Sequence, residues 1–477
     1  MKVEELKPRE VWKEFVEINK IPRSSGNEEG IREYIKKVAV ENKQEYEVDE
    51  YGNILVRIKG IGESLALQSH MDMVCEKNSE KVHDFEKDPI KLRLSDDKEW
   101  VIGEGTTIGA DNGIGVAMMI AIIKDKETTL PIELLFTTDE ETGLTGAKGI
   151  KKEWLKSKKM INLDSEETNN ICVGCAGGAR ITIEVPIEYE ELKNQAVMEI
   201  MIKGLRGGHS GADIHLQRSN AIKELNRAIG AIREKAKVRI IEINGGNKDN
   251  AIPREATVVI SVDKKDKERV KEIIIKEFEE IIEDNKEVEG EMKIGINEVK
   301  KDKAMNEKST DNIIDLINVL QHGVIRNSNT IKGLVETSQC LAVVETKEKE
   351  VMIKVTPRSS RASVMKQTIR NIKSACRMID SKIEVSNEYP GWEPNKETEL
   401  LKEFTKINKE VTGEEPRITA IHAGLECGII GEKHEGMEMI SVGPLIENAH
   451  TPEERVNIRT VEEFWKVLKK FLERRDS

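Results

Sequence analysis

Apolar positions along the chain recur with two different periods, and the change from one to the other divides the sequence. Residues 8–43 repeat apolar side chains at helical spacing, over 11–18 and again over 31–40, with Pro8 suited to a first helical turn. Short strand-like, mainly apolar runs at 54–58, 65–68, 132–137 and 160–163 predict strands, and 112–124 and 147–156 predict helices. Strands apolar on both faces, alternating with helices, imply an α/β sheet covered on both sides. Between 186 and 391 the texture changes. Strands of alternating polarity at 196–202, 238–243, 257–262, 339–344 and 350–356 lie among long charged helices at 220–237, 267–285, 311–322 and 362–379. That is the α+β pattern of an open-faced sheet. The strand–helix–strand–strand–helix order of its first half has a counterpart in the second, and an internal duplication is one reading of this. From 392 the earlier pattern resumes, with a strand at 439–442 and a closing helix at 460–474. The expected organisation is one α/β domain in two pieces, 1–185 and 392–477, with an α+β domain inserted at 186–391.

Composition narrows the function classes. A chain of 477 residues exceeds one ordinary core. Lys+Arg of 76 against Asp+Glu of 88 leaves a net charge of −12, which disfavours general binding of nucleic acid or an anionic membrane. No apolar run reaches the roughly 18 residues needed to cross a bilayer. The first fifteen residues are charged throughout and lack the apolar core of a signal peptide. Six cysteines at uneven spacings (75, 172, 175, 340, 376 and 427) are expected to be reduced thiols in a cytoplasmic protein. Cys172 and Cys175 make a CxxC pair, but no second such pair or His pair sits near it.

The chemistry lies where predicted strands end. LALQSHMD puts His70 and Asp72 two apart, so both share a strand face, and the carboxylate can fix the imidazole's tautomer. GADNGIG lacks the spacing of a dinucleotide loop and the Lys of a P-loop. Its Asp111, expected at a helix start, is either an ordinary cap or a carboxylate able to bridge two cations. TTDEETG follows the apolar strand at 132–137, and of Glu140 and Glu141 one can ligate a metal while the other takes a proton from water. Asp164 ends another apolar run, and His450 lies in NAHTPEE after the strand at 439–442. Each segment has a bland explanation alone. Together they are the ligand mix of a two-metal hydrolytic site at the carboxyl edge of a sheet, where α/β folds place their sites.

These segments, in this order, resemble the zinc peptidases related to glutamate carboxypeptidase and aminoacylase. GGHSGAD at 207–213, VETS at 335–338 and HAGLECG at 422–428 extend the resemblance to the aminoacylhistidine (Xaa-His) dipeptidase branch over essentially the whole chain. The resemblance implies an α/β di-zinc peptidase domain with a central mixed sheet flanked by helices, and an inserted α+β lid that also dimerises. It implies two divalent metal ions, zinc first and cobalt or manganese as alternatives. Asp111 would bridge them, His70 and Asp164 completing one site, Glu141 and His450 the other. Glu140 would be the general base, Asp72 the orienter of His70 and His209 the oxyanion donor, in its own site or a partner's. Asn250 and Arg358 would hold the substrate carboxylate, and His422 and Glu426 would line the pocket. Asp at 164 accords with dipeptidases and aminopeptidases of the family, where carboxypeptidases carry Glu. The implied activity is hydrolysis of unblocked dipeptides, Xaa-His and broader, in a cytoplasmic homodimer. The alternatives are a tripeptide aminopeptidase or N-acyl-amino-acid deacylase, or, from another class, an inactive metal-binding scaffold. The intact Glu140, Asp72 and ligand set counts against the last.

Overall fold

The computed structural model describes residues 2–125 and 129–473, which fall into two compact units. The first comprises Met1–Gly174, Pro394–Ala420 and Leu425–Ser477, and the second Cys175–Glu393 and Ile421–Gly424. The strand Gly177–Pro186, which precedes the expected join at 185/186 almost entirely, lies in the second unit's sheet.

The first unit is built on an eight-stranded sheet in the order Glu45–Val48, Ile54–Ile58, Ile132–Thr137, Leu65–His70, Lys159–Asn162, Glu438–Ser441, Asn170–Cys175 and Arg417–Ile421. Its four middle strands, from Ile132–Thr137 to Glu438–Ser441, run parallel, with antiparallel neighbours on either side. Every residue of Ile132–Thr137 and Leu65–His70 is buried, in keeping with strands covered on both faces. The helix Ala110–Lys124 is buried around its whole circumference from Asn112 to Ile123, and Arg9–Ile18 packs on it. The helix expected at 147–156 stops early. Only Thr145–Gly149 is helical, and Ile150 leaves it with a non-helical ψ of 130°. A Cβ at Gly149 would meet the Tyr51 ring at 2.2 Å, so the last helical residue packs against a ring that admits only glycine there. The closing helix is Ile458–Leu472, begun by the Asn457 side chain, which accepts the Thr460 N–H. Residue 474, expected within it, lies outside the described residues.

The second unit holds an antiparallel sheet of nine strands. Eight lie in the order Lys293–Glu298, Gln195–Lys203, Ala256–Asp263, Val238–Gly245, Val335–Thr346, Glu350–Ser359, Gly177–Pro186 and Lys382–Tyr389, and Gly323–Asn327 pairs with Val335–Thr346. Alternate positions, such as Ile181, Ile183 and Val185, point into one core with the helices Ala221–Arg233, Lys267–Asn285, Glu307–Val319 and Ala362–Met378. Asn220 and Asn306 cap the first and third of these with their side-chain oxygens. Among the described residues no helix is long and apolar enough to cross a membrane.

Candidate metal centre

The middle strands of the first unit end level with one another. His70 stands opposite Thr137 and Gln68 opposite Asn162, so the segments HMD, TDEE and LD leave the sheet side by side. Parallel pairing by apolar residues thus delivers the polar ones to a common edge.

His70 is buried, and its Nε2 lies 3.0 Å from Asp111 Oδ1 and 3.2 Å from Asp164 Oδ1. His450 comes from the loop after Glu438–Ser441, its Nε2 being 3.1 Å from Asp111 Oδ2 and 3.1 Å from Glu141 Oε2. Asp111 therefore shows one oxygen to each imidazole. Three overlapping sets, His70–Asp111–Asp164, Asp111–Glu141–His450 and His70–Glu140–Glu141, each bring their donor atoms within 4.8 Å of one another. Asp111 stands at the helix start, as expected, with the non-helical backbone of a residue that caps rather than continues the helix. Its ψ of 111° places it ahead of the regular helix. Asp139, Asn448 and His450, in the loops that carry the donors, take left-handed φ values of +52°, +56° and +63°.

The electrostatics are those of an anionic nest. Burial alone would lower the His70 pKa, but Asp164, Asp111 and Asp72 outweigh it and hold His70 well above the ordinary imidazole value. Hydrogen bonds to Asp111 and then Glu141 push His450 up to about 11. Burial raises Asp164 to about 6 and lifts Glu140 well above the usual carboxylate range. Carboxylates outnumber imidazoles around a common point, and Glu141 Oε1 is buried with no hydrogen-bond partner. An oxygen-rich donor set with an excess of negative charge suits hard or borderline divalent cations.

Asp72 ties this set together. Its Oδ1 accepts the Glu140 N–H at 3.1 Å and lies 3.4 Å from His70 Nδ1. Its Oδ2 accepts the Glu141 N–H at 3.2 Å and the Ser25 hydroxyl at 2.7 Å. Burial opposes ionisation, yet His70 and these donors hold the Asp72 carboxyl down to about 2.

Two buried charges escaped the sequence reading. Glu454 Oε2 accepts the N–H groups of Ile108 (2.7 Å) and Gly109 (2.9 Å), and its Oε1 accepts those of Ala110 (2.7 Å) and Asp111 (3.3 Å). Arg23 Nη1 donates to the carbonyls of Met71 (3.0 Å) and Asp72 (3.1 Å), and its Nη2 to that of Gly109 (2.6 Å). The second Glu of HTPEE was a legible signal for Glu454. Nothing in IPRSSG marks Arg23.

Glu426 has no exposed surface. It lies inside the first unit, where its Oε2 accepts from Gln68 Nε2 (2.5 Å) and Thr137 Oγ1 (2.7 Å). Gln68 in turn accepts from Asn162 Nδ2 at 2.6 Å, so a buried polar ladder crosses three strands beneath the centre.

His209, Asn250, Arg358 and His422 belong to the second unit and form a group of their own there. His209 Nδ1 accepts the N–H groups of Gly211 (3.2 Å) and Ala212 (3.0 Å), which leaves the ring proton on Nε2. Burial and then the Arg358 charge lower its pKa. Arg358 Nη1 donates to Tyr389 Oη at 2.8 Å, and Arg358 Nε is buried without a partner. His422 Nε2 lies 2.7 Å from Ser338 Oγ, and burial holds the ring neutral by lowering it to about 3. A Cβ on Gly211 would sit 2.4 Å from the His422 carbonyl oxygen and 3.0 Å from Arg358 Nε, so the GGHSG turn packs directly on both. Asn250 is exposed and contributes its carbonyl to the Ser210 N–H at 2.8 Å.

The chain belongs to the peptidase family M20/M25/M40, whose model matches residues 66–474, and is thereby a hydrolase of the metallopeptidase class. It is 38% identical over 98% of its length, and 98% of the relative's, to the cytosol non-specific dipeptidase of Escherichia coli (strain K12). Among solved structures it matches the aminoacylhistidine dipeptidase of Vibrio alginolyticus with a TM-score of 0.93 and 35% identity, covering 99% of this chain and 98% of that one. The aminopeptidase PepT of Bacillus cereus shares the fold at 16% identity, with a TM-score of 0.58 and 98% of both chains covered.

Proposed function

We propose that the chain is a metal-dependent dipeptidase acting on unblocked dipeptides, Xaa-His and broader. The observation that carries this reading is the single Asp111 carboxylate facing His70 with one oxygen and His450 with the other. Extended similarity to two dipeptidases supports the substrate class. His70, Asp111 and Asp164 would hold one divalent cation, and Asp111, Glu141 and His450 a second, zinc first with cobalt or manganese as alternatives. Bound there, such cations supply Lewis acidity to the peptide carbonyl and make a water more acidic.

The residues divide the remaining work. Glu140 takes the water's proton and passes it to the leaving amine. Asp72 fixes the His70 ring and the turn that carries Glu140 and Glu141. His209 offers its Nε2–H to the developing oxyanion, in its own chain or a partner's. Arg358, with Asn250 beside it, takes the substrate carboxylate, and neutral His422 shapes the same group. In this reading the second unit serves as the lid domain that the family resemblance implies. A homodimer through it and a cytoplasmic location, the latter supported by the cytosol dipeptidase of E. coli, complete the reading.

Glu140→Gln tests it. Turnover of dipeptides should fall by about 10²–10⁴-fold while both cations remain bound by metal analysis. Ordinary activity in that variant would overturn the role given to Glu140. Parallel rates on di-, tri- and N-acyl substrates, before and after chelation, check the substrate class.

A further inference from the structure

We infer that Arg23 and Glu454 are paired positioning residues that set the aim of the Asp111 carboxylate by gripping its loop through the carbonyl and the amides of the main chain. The inference rests on the two-cation reading above. Both charges are buried, Arg23 to 1% and Glu454 to 2% exposure. Burying charge is costly, and an apolar pair would serve mere packing better. These two direct their hydrogen bonds to the main chain. Glu454 takes the four successive amides of 108–111. Arg23 joins the Gly109 carbonyl to those of Met71 and Asp72 and so ties the Asp111 loop to the one that follows His70.

The glycines of GADNG answer to the same clamp. A Cβ at Gly109 would lie 2.3 Å from Arg23 Nη2, and one at Gly113 2.5 Å from it. Gly109 also takes a left-handed φ of +56°. The motif that superficially suggests a phosphate loop is thus shaped to admit a guanidinium. The Gly109–Ala110 peptide is held by both charges, its carbonyl by Arg23 and its N–H by Glu454, and Glu454 also holds the Asp111 N–H, so the backbone that carries the Asp111 side chain is restrained. A bridging carboxylate needs that restriction, because both cations depend on it at once.

The test compares wild type with Glu454→Gln and Arg23→Lys. Gln can accept at only one end, so two of the four amides would face an NH₂ group. Lys keeps the buried cation but not the fork that reaches two loops. Metal-free protein is titrated with Co²⁺ and followed by visible absorption, and dipeptide kcat and KM are measured at saturating Co²⁺. Both variants should fold by circular dichroism and bind both ions about 10–100-fold more weakly. At saturating Co²⁺ each should show at least a tenfold lower kcat, with KM changed less than about twofold. Should Glu454→Gln fail to fold, Arg23→Lys carries the same test from the carbonyl side. A folded variant with wild-type Co²⁺ affinity and kcat overturns the clamp and leaves the dipeptidase reading standing. A wild-type protein that binds no Co²⁺ overturns both.

Discussion

Replacing Glu426 by Gln should stabilise the first unit by an amount that grows with pH. Glu426 has no exposed surface, its Oε2 accepts two hydrogen bonds, and its Oε1 is buried with no partner. Burial raises its carboxyl from 4.5 to about 8. The folded state therefore holds the proton more tightly than the unfolded state does. The stability contributed by this group is complete below about pH 4.5 and is lost as the pH climbs through about 8. At ~1.36 kcal/mol per pH unit, the gap between those two values caps the loss at about 5 kcal/mol, of which about 4 kcal/mol falls between pH 5 and pH 9. Gln has no proton to lose. Its carbonyl oxygen keeps both incoming bonds, and its NH₂ replaces the acid's OH. The assay is urea unfolding of metal-free wild type and variant at both pH values. Taking the variant minus the wild type cancels the titrating groups that do not interact with Glu426. Tryptophan fluorescence reports mainly on this unit, since Trp12, Trp100, Trp154 and Trp465 lie in it and Trp392 in the other. The difference should grow by about 4 kcal/mol from pH 5 to pH 9. A difference that stays flat within about 1 kcal/mol would refute a buried, protonated Glu426.

Three further outcomes are expected. Asp72→Asn must turn its NH₂ toward the Glu140 or the Glu141 amide, and should weaken metal binding about 10–100-fold by calorimetric titration; unchanged affinity would remove Asp72 from its supporting role. Gly113→Ala drives a Cβ to 2.5 Å from the Arg23 guanidinium and should cost about 1–3 kcal/mol, read as a lower melting temperature, so an unaltered melt would contradict that packing. Arg358→Met removes the charge held by Tyr389 and should raise the dipeptide KM at least about 30-fold while both metals stay bound; an unchanged KM would move the substrate carboxylate elsewhere.

The sequence was most informative where one short-range rule decided the outcome. Mainly apolar runs marked the parallel strands, and polar residues at their ends marked His70, Asp72, Glu140, Glu141 and Asp164. It was least informative where long-range packing decided. The helix expected at 147–156 ends at Gly149, which packs on Tyr51, a neighbour about a hundred residues away in sequence. Glu426 stands in a motif that suggests a pocket, yet only the fold shows it buried against Gln68 and Thr137. Arg23 had no distinguishing neighbours at all.

By itself the sequence determined the kinds of element, the strand ends at which chemistry sits, and the family whose motifs it carries. Those depend on periodicity and residue type, which are local. Only the tertiary structure decided that one carboxylate faces two imidazoles and that Glu454, from a loop 343 residues away, holds the backbone of Asp111. Those are agreements in space between distant segments, fixed by sheet register and burial, and no local pattern encodes them.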